Sequence, residues 1–166
     1  MIIVGIDPGT LHLGWGVIRS EGTRLLHIDH GIIHTSEREL AGRLIQIDDA
    51  LEQVLEQHRP AQGAVEAMFF AKDAQAAAKL GHARGVALLR LMRADIEIHE
   101  YPPARVKRAV TGRGQADKLQ VALMIRAALG LRETPPADAA DALAVAVAHA
   151  RIHRIDSALR TGRVPA

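Results

Sequence analysis

Residues 1–10, MIIVGIDPGT, combine an apolar, β-branched run with an abrupt stop at residues 7–9. The run predicts a buried strand that ends at Asp7, because Pro and Gly are strong breakers of regular structure. Residues 13–20 and 25–34 follow at hairpin spacing, which predicts a three-stranded antiparallel meander. Asp7 is therefore placed where a side chain can project beyond the sheet edge, although Asp-Pro-Gly is also an ordinary turn sequence.

The rest of the chain predicts an α/β fold with a five-stranded mixed sheet flanked by helices. Ser36 and Glu39 form a capping-box pattern before an amphipathic helix. Residues 63–66 and 96–100 predict two more strands, and the intervening segment 74–92 predicts a helix rich in Ala and Gly. Further helices are predicted at 104–110, at 116–129 and after residues 135–136.

Length and composition predict one folded domain. The 166 residues are 48% apolar and 24% charged, which is ordinary for a globular protein. No apolar run is long enough to span a membrane, and the N-terminus lacks a basic leader, so we expect a cytoplasmic protein with no membrane partner. The absence of cysteine excludes disulfides and thiolate chemistry. We expect the domain to cover residues 1–155 and a flexible basic tail to cover 156–166.

Positive charge is concentrated in the C-terminal part of the chain. Residues 1–100 carry 10 basic and 14 acidic groups, whereas residues 101–166 carry 11 and 5, a net charge of +6. Arginine supplies 17 of the 21 basic residues, and its planar guanidinium suits two-point contacts to phosphate. Nucleic-acid backbone binding and an ordinary solvated surface are about equally good explanations of the charge alone.

Three further acids lie in distinctive motifs. Glu66 ends an apolar run, where an ionised carboxylate is costly unless it is paired or metal-bound; exposure at a sheet edge explains it equally well. Asp138 and Asp141 are three residues apart on a predicted helix, so they share a face, and the surrounding alanines leave room for large ligands. The alternative is that Asp138 is an N-cap residue and that Asp141 only interacts favourably with the positive, N-terminal end of the helix dipole.

Convergence of these acids would create an all-oxygen site for a hard cation. Oxygen ligands without cysteine favour Mg²⁺ or Mn²⁺. Two such ions can activate water on one side of a phosphodiester and stabilise the leaving oxygen on the other. We therefore expect up to two ions, with the ligands Asp7, Glu66, Asp138 and Asp141.

Five motifs occur in order along nearly the whole chain: GIDPGT at 5–10, the segment from Glu66 to Phe69, AKLGHARGVA at 78–87, Lys107 with Lys118, and ADAADALAVA at 137–146. Together they resemble the motifs of RuvC-type Holliday-junction resolvases. The resemblance implies an RNase H-like fold, and paired symmetric nicks in opposed strands of a four-way DNA junction by metal-activated water, in recombination and repair. It also implies a homodimer and a branch-migration machine as partner.

The resemblance also assigns roles to residues. The four acids become metal ligands, and Lys107 and Lys118 join them as catalytic residues near the scissile phosphate or the DNA backbone. Phe69 is implied to stack at the opened junction, and adjacent Phe70 fits the same role, although two adjacent phenylalanines are usually core. The small residues of 74–92, which otherwise favour packing on the sheet, become a dimer seam. Other expected DNA contacts are Lys72, Arg105, Arg108 and Arg113.

Some positions depart from the family pattern. Ala67 and Asp73 stand where polar amide residues are expected, and Arg113 and Gln115 add charge and bulk to a loop that is often smaller. The acids are unaffected by these departures. We expect the extra arginine to strengthen backbone binding and to weaken discrimination between junction sequences.

Rival functions share single features with this chain. GID-x-GT also resembles the phosphate loop of actin-like ATPases and sugar kinases, but those proteins need two such domains. An RNase H-like RNA-processing nuclease of the YqgF type shares the strand-end Asp but is expected to lack the AKLGHARGVA and Lys118 segments. A non-catalytic junction-binding protein would keep the fold and use its acids only at helix ends. His149 and His153, four apart, favour packing over zinc because no HExxH context accompanies them.

Overall fold

The computed structural model describes residues 1–67 and 74–160. Five strands and five helices follow one another within these ranges. The strands are β1 (Ile2–Asp7), β2 (His12–Glu21), β3 (Arg24–His34), β4 (Gln62–Glu66) and β5 (Glu97–Tyr101). The helices are α1 (Leu40–His58), α2 (Ala74–Arg93), α3 (Pro103–Thr111), α4 (Lys118–Leu129) and α5 (Ala137–Arg160). The predicted mixed α/β class is confirmed.

The strands form one sheet in the order β3-β2-β1-β4-β5. The pairs β1–β2 and β2–β3 are antiparallel, which confirms the predicted meander. The pairs β1–β4 and β4–β5 are parallel. Because β1 belongs to both parts of the sheet, it lies at the centre, and the carboxyl ends of β1, β4 and β5 meet at one edge. Crevices at such an edge are the usual ligand sites of open α/β sheets.

Helices cover both faces of the sheet. Residues alternate along β1, so that Ile3 packs with α3, α4 and α5, whereas Val4 and Ile6 pack with α1 and α2. This is the expected two-residue period of a strand that is buried on both faces. A continuous apolar run at the N-terminus is therefore the signature of the central strand.

Three glycines allow α5 to cross β1 and β2 at very short range. A Cβ on Gly5 would lie 2.0 Å from the carbonyl oxygen of Ala142, and one on Gly14 would lie 2.0 Å from that of Asp138. Gly16 lies beneath the same helix. A side chain at these positions would push α5 off the sheet. These three glycines therefore determine where α5 begins relative to β1.

The predicted capping box at the start of α1 is wrong. Glu39 occupies the N-cap position but makes no side-chain cap hydrogen bond, and the helix begins at Leu40. The backbone N–H groups of Ser36 and Glu37 instead donate to Gln46 Oε1 at 2.9 and 3.2 Å. Gln46 Nε2 also donates to Ser36 Oγ at 3.0 Å. A side chain from the second turn of the helix therefore replaces the expected local cap.

The last two helices also differ in extent from the prediction. α4 begins two residues later than expected, because Asp117 Oδ1 accepts a hydrogen bond from the Gln120 N–H and the Gln120 side chain accepts one from the Asp117 N–H. α5 continues to Arg160 and passes the expected domain boundary at residue 155. Although α5 is long, neither it nor any other described helix is both long and apolar enough to cross a membrane.

His149 joins α5 to the sheet as a neutral histidine. The side chain is fully buried, its Nε2 lies 2.8 Å from Gln62 Oε1, and its Nδ1 lies 2.7 Å from the Tyr101 hydroxyl. Burial lowers the pKa of His149 to about 4, and the nearby His99 and His153 add to the effect. In a neutral ring, Nε2–H donates to Gln62 and Nδ1 accepts from the Tyr101 hydroxyl, so both ring nitrogens have a hydrogen-bond partner.

Candidate active site

Asp7 and Glu66 are the final residues of two adjacent parallel strands, β1 and β4. Ile6 pairs with Val65 in the parallel register, so the next residue on each strand is one of the two acids. Both carboxylates line a single cavity at the carboxyl edge of the sheet. The structure thus brings together the two acids that the sequence placed at strand ends.

The first turns of α5 add the other two acids. Asp141 lines the same cavity as Asp7 and Glu66. Asp138 does not line it, but its negative charge acts on Asp7. Gly14 pairs with Asp7 in the β1–β2 ladder and would clash with the Asp138 backbone if it carried a Cβ. The contact between this glycine and the start of α5 therefore fixes how close the helical acids come to Asp7.

The acid cavity has a volume of about 200 Å³. Three helices supply its other walls: α3 contributes two apolar residues and one lysine, α4 contributes one of each, and α5 contributes an alanine. The lining residues are Asp7, Glu66, Pro103, Val106, Lys107, Lys118, Val121, Asp141 and Ala144. Apolar walls lower the local dielectric constant and so strengthen every charge interaction within the cavity.

Negative charge is incompletely compensated in this cavity. Burial raises the pKa of Asp7 to about 7, and the charges of Asp141 and Glu66 act in the same direction. Burial also raises the pKa of Glu66, and Asp141 adds to it, whereas Lys118 and Lys107 lower it. Clustered acids with raised pKa values in a cleft are typical of a functional site rather than of a structural ion-pair network.

Lys118 provides the closest positive charge. Its Nζ donates a hydrogen bond to Asp141 Oδ2 at 2.8 Å, and this bond raises the pKa of Lys118. The lysine side chain is 77% exposed, whereas that of Asp141 is 20% exposed. The ammonium therefore approaches Asp141 from the solvent side.

The acids fit a divalent cation by their chemistry and charge. Carboxylate oxygens are the preferred ligands of hard cations such as Mg²⁺ and Mn²⁺, and a cation would relieve the repulsion that raises the pKa of Asp7. As the side chains stand, no three acidic or histidine side chains among the described residues enclose a metal position. The Lys118 ammonium bonds one oxygen of the Asp141 carboxylate at the cavity.

The expected DNA contacts fall into four groups. Lys107 and Lys118 line the acid cavity. Arg113 lies in the loop after α3, where its backbone N–H and carbonyl both bond the Thr111 hydroxyl. Phe69, Phe70 and Lys72 lie outside the described residues, as does Asp73. Arg105 and Arg108 line a different cavity, away from the acids.

One further residue near the acids was not predicted. Arg84 of α2 lines a second cavity of about 160 Å³ that also contacts Asp7 and Glu66. Its guanidinium pairs with Glu100 of β5. The sequence did offer a signal for Arg84, because it is the single arginine in AKLGHARGVA. We interpreted this segment only as a helix for packing or dimer formation.

The sequence matches known proteins over nearly its full length. The family model for "Crossover junction endodeoxyribonuclease RuvC" matches residues 3–149. A protein of that name from Sorangium cellulosum is 52% identical over 99% of this chain and 93% of its own length. A second, from Rubrobacter xylanophilus, is 47% identical over 98% of this chain and 92% of its own.

Solved structures give the same result. Thermus thermophilus RuvC in complex with a Holliday junction substrate has a TM-score of 0.88 and 39% identity, covering 95% of this chain and 97% of that chain. The yeast mitochondrial resolvase Ydc2, at 14% identity and a TM-score of 0.67, shares the fold. The family match favours a junction resolvase over the RNA-processing and actin-like alternatives. This chain belongs to the RuvC family of crossover junction endodeoxyribonucleases.

Proposed function

We propose that this chain resolves four-way DNA junctions by paired symmetric nicks in opposed strands, with Asp7, Glu66, Asp138 and Asp141 as its metal-binding acids. One observation carries the assignment of the site. Acids from β1, β4 and α5 converge in one cavity together with Lys107 and Lys118. Carboxylates and lysines in one cleft suit phosphodiester hydrolysis, because the reaction must both bind a cation and neutralise a phosphate.

Nucleases of this family depend on a divalent metal ion, and we propose Mg²⁺ or Mn²⁺, with up to two ions per site. Such ions supply an activated water and stabilise negative charge on the leaving oxygen. The chain's own residues position the substrate. Lys118 and Lys107 draw the phosphate into the cavity, and the apolar walls from Val106 and Val121 limit the access of bulk water.

We propose that the other expected contacts act along the DNA. Phe69 and Phe70 would stack on bases exposed at the junction, because aromatic faces accept any base. Lys72 and Arg113 would contact the sugar-phosphate backbone. These contacts hold and orient the junction, while the acid cavity cuts it.

A homodimer would supply two cuts at a fixed separation. Exposed residues on α2 recur at intervals of four and three, namely Ala78, His82, Gly85, Leu89 and Met92. A Cβ on Gly85 would meet nothing within 4 Å, so a neighbouring helix has room to approach. This stripe supports α2 as a two-fold seam, since a two-fold axis relates two identical patches. We further propose a cytoplasmic location and cooperation with branch-migration proteins.

The experiment that tests this function compares three labelled substrates: a synthetic four-way junction, a linear duplex of the same sequence, and an RNA hairpin. Each is incubated with Mg²⁺, Mn²⁺ or EDTA, and the nicks are mapped at nucleotide resolution. We expect nicks at symmetric positions in two opposed strands of the junction, ligatable ends, and no cutting in EDTA.

The same experiment discriminates the alternatives. Cutting confined to RNA would favour an RNA-processing nuclease. Tight junction binding without nicks under either metal would leave a non-catalytic junction-binding protein. Nicks at unrelated positions in the two strands would contradict the paired, symmetric reaction.

A further inference from the structure

A second cavity of the described structure, here called the large cavity, lies towards the other end of α5. It has a volume of about 990 Å³ and is bounded by the β2–β3 turn, α3, α4 and the C-terminal half of α5. Asp141 and Ile152 lie on the same helix and line the acid cavity and this large cavity, respectively. At 1.5 Å per residue the two positions are separated by roughly 16 Å along the helix. The large cavity is therefore a separate site.

Four arginines make the large cavity strongly positive. Arg105 and Arg108 reach it from α3, and Arg151 and Arg154 reach it from α5. Residues three apart share one face of a helix, so each pair faces the cavity from its own side. No carboxylate belongs to the described lining.

The cavity arginines differ from other arginines of the described structure in their ion pairing. Arg84 and Arg90, on α2, form ion pairs with acids, but none of the four cavity arginines does so among residues 1–67 and 74–160. Arg151 is half-buried beside Arg154, and both burial and that neighbouring charge lower the pKa of Arg151. A concave surface with several guanidinium groups that form no ion pair among the described residues has the electrostatic character of an anion site.

Two of the guanidinium groups are held in place by contacts within the protein. Arg151 Nη1 donates hydrogen bonds to the carbonyl oxygens of Ala109 and Val110 at 2.8 and 3.1 Å. The Arg105 guanidinium lies over the Tyr101 ring, 5.6 Å from its centroid. Groups that are already ordered lose less freedom when a ligand binds. The cavity is therefore partly preorganised for an anion.

The remaining walls are apolar. Leu25, Ile152 and Ile155 contribute them, together with alanines of α3, α4 and α5. Such a surface suits the sugar or base that carries a phosphate better than it suits a free inorganic ion. The volume also falls within the usual range for small-molecule sites.

We propose that this cavity is a second phosphate-binding site, which recognises the phosphate groups of a nucleic-acid arm or of a nucleotide through Arg105, Arg108 and Arg154. Guanidinium groups bind phosphate in two-point geometry, so three of them around one cavity can hold more than one phosphate oxygen. The inference rests on the proposed function where the phosphates belong to a junction arm. It is independent of that function where they belong to a free nucleotide.

The test measures binding in EDTA, where cutting does not interfere. The probes are a labelled four-way junction, ATP and inorganic pyrophosphate, and the proteins are wild type, Arg108→Ala/Arg154→Ala and the control Arg93→Ala on the opposite face of the sheet. If a DNA arm occupies the cavity, the double variant raises the junction Kd about tenfold and reduces the slope of log K against log salt by about two. If a nucleotide occupies it, ATP binding is lost while junction binding is retained.

Equal affinities of wild type, double variant and control for every probe would overturn the proposal. Arg151 is left unchanged because it bonds the end of α3. Arg108→Lys/Arg154→Lys guards against a folding defect: it retains the charge, and we expect a smaller loss of affinity than with alanine. Cutting is assayed separately with Mg²⁺, so a protein that binds through this cavity but does not cut would contradict the proposed function and not the second site.

Discussion

Lys118 Nζ lies 2.8 Å from Asp141 Oδ2, so an ammonium group occupies the solvent side of the acid cavity. This pair joins the N-terminal ends of α4 and α5. Because the lysine side chain is largely exposed, the pair adds little to folding stability. Its main effect is electrostatic, since Lys118 offsets the charge of Asp7 and Glu66, and we propose that it also attracts the phosphate.

Replacing Lys118 by methionine separates the effect of this pair on cutting from its effect on folding stability. We expect Lys118→Met to slow single-turnover junction cutting roughly 100-fold, because one preorganised positive charge at the phosphate is lost. The free energy of unfolding should change by less than about 1 kcal/mol. Quenched-flow cutting and urea unfolding measure the two effects. Lys79→Met, an exposed lysine on α2, is the control, and an equal slowing in that variant would contradict a specific role for Lys118.

Asp7 should reduce folding stability when it is ionised. Its pKa is about 7 in the folded protein and near 4 in the unfolded chain, so the folded state binds the proton more tightly. The associated stability is present below pH 4 and is lost as pH rises through 7. In EDTA, the free energy of unfolding of Asp7→Asn relative to that of wild type should therefore be roughly 3 kcal/mol larger at pH 8 than at pH 4.5. A difference that does not vary with pH would contradict the raised pKa.

Gly14 should be required for the position of the helical acids. A Cβ at this residue would lie 2.0 Å from the Asp138 carbonyl oxygen, and backbone cannot move aside as a flexible side chain can. Gly14→Ala should cost about 2 kcal/mol or more of stability and abolish the thermal stabilisation by Mn²⁺. Gly114→Ala is the matched control, because its Cβ would make only ordinary contacts. Retention of the Mn²⁺ effect in Gly14→Ala would show that α5 can shift without loss of the site.

Gly85 tests whether α2 forms the dimer seam. Nothing within 4 Å would meet a Cβ there, so a larger side chain should leave the folded chain intact. If the exposed stripe packs against a second copy, Gly85→Leu should weaken self-association at least tenfold, as measured by sedimentation equilibrium. Ala127→Leu, at an exposed position of α4, should leave self-association unchanged. Unaltered association of Gly85→Leu would place the seam elsewhere.

The sequence predicted which strand ends carry acids, but it did not predict how the acids are arranged. It placed Asp7 and Glu66 at strand ends, and the structure adds that the two strands are parallel neighbours, so that their carboxyl ends meet at one edge. The sequence also placed Asp138 and Asp141 on one helix face, but it did not show that only Asp141 lines the cavity. That outcome depends on the rotation and height of α5, which the contact at Gly14 determines. Such a contact connects residues far apart in sequence, and local patterns do not contain it.

Long-range contacts also explain the other differences. The expected bond from the Ser36 N–H to the Glu39 side chain is replaced because Gln46, ten residues after Ser36, accepts from that N–H instead. Arg84 was missed as a neighbour of the acids because its helix is separated from them in sequence and shows only small residues around it. Arg105 and Arg108 were grouped with Lys107, but adjacent helical positions face different directions, and α3 separates two cavities.

Single-turnover cutting of a labelled four-way junction by wild type and Asp7→Asn tests the central claim most directly. Asp49→Asn, an exposed acid on α1, is the matched control. With Mg²⁺, wild type and Asp49→Asn should cut the junction at similar rates, and Asp7→Asn should be slower by about 1,000-fold or more, because the strand-end carboxylate is lost from the metal-binding acids. Cutting by Asp7→Asn at the wild-type rate would contradict the assignment of this cavity as the active site.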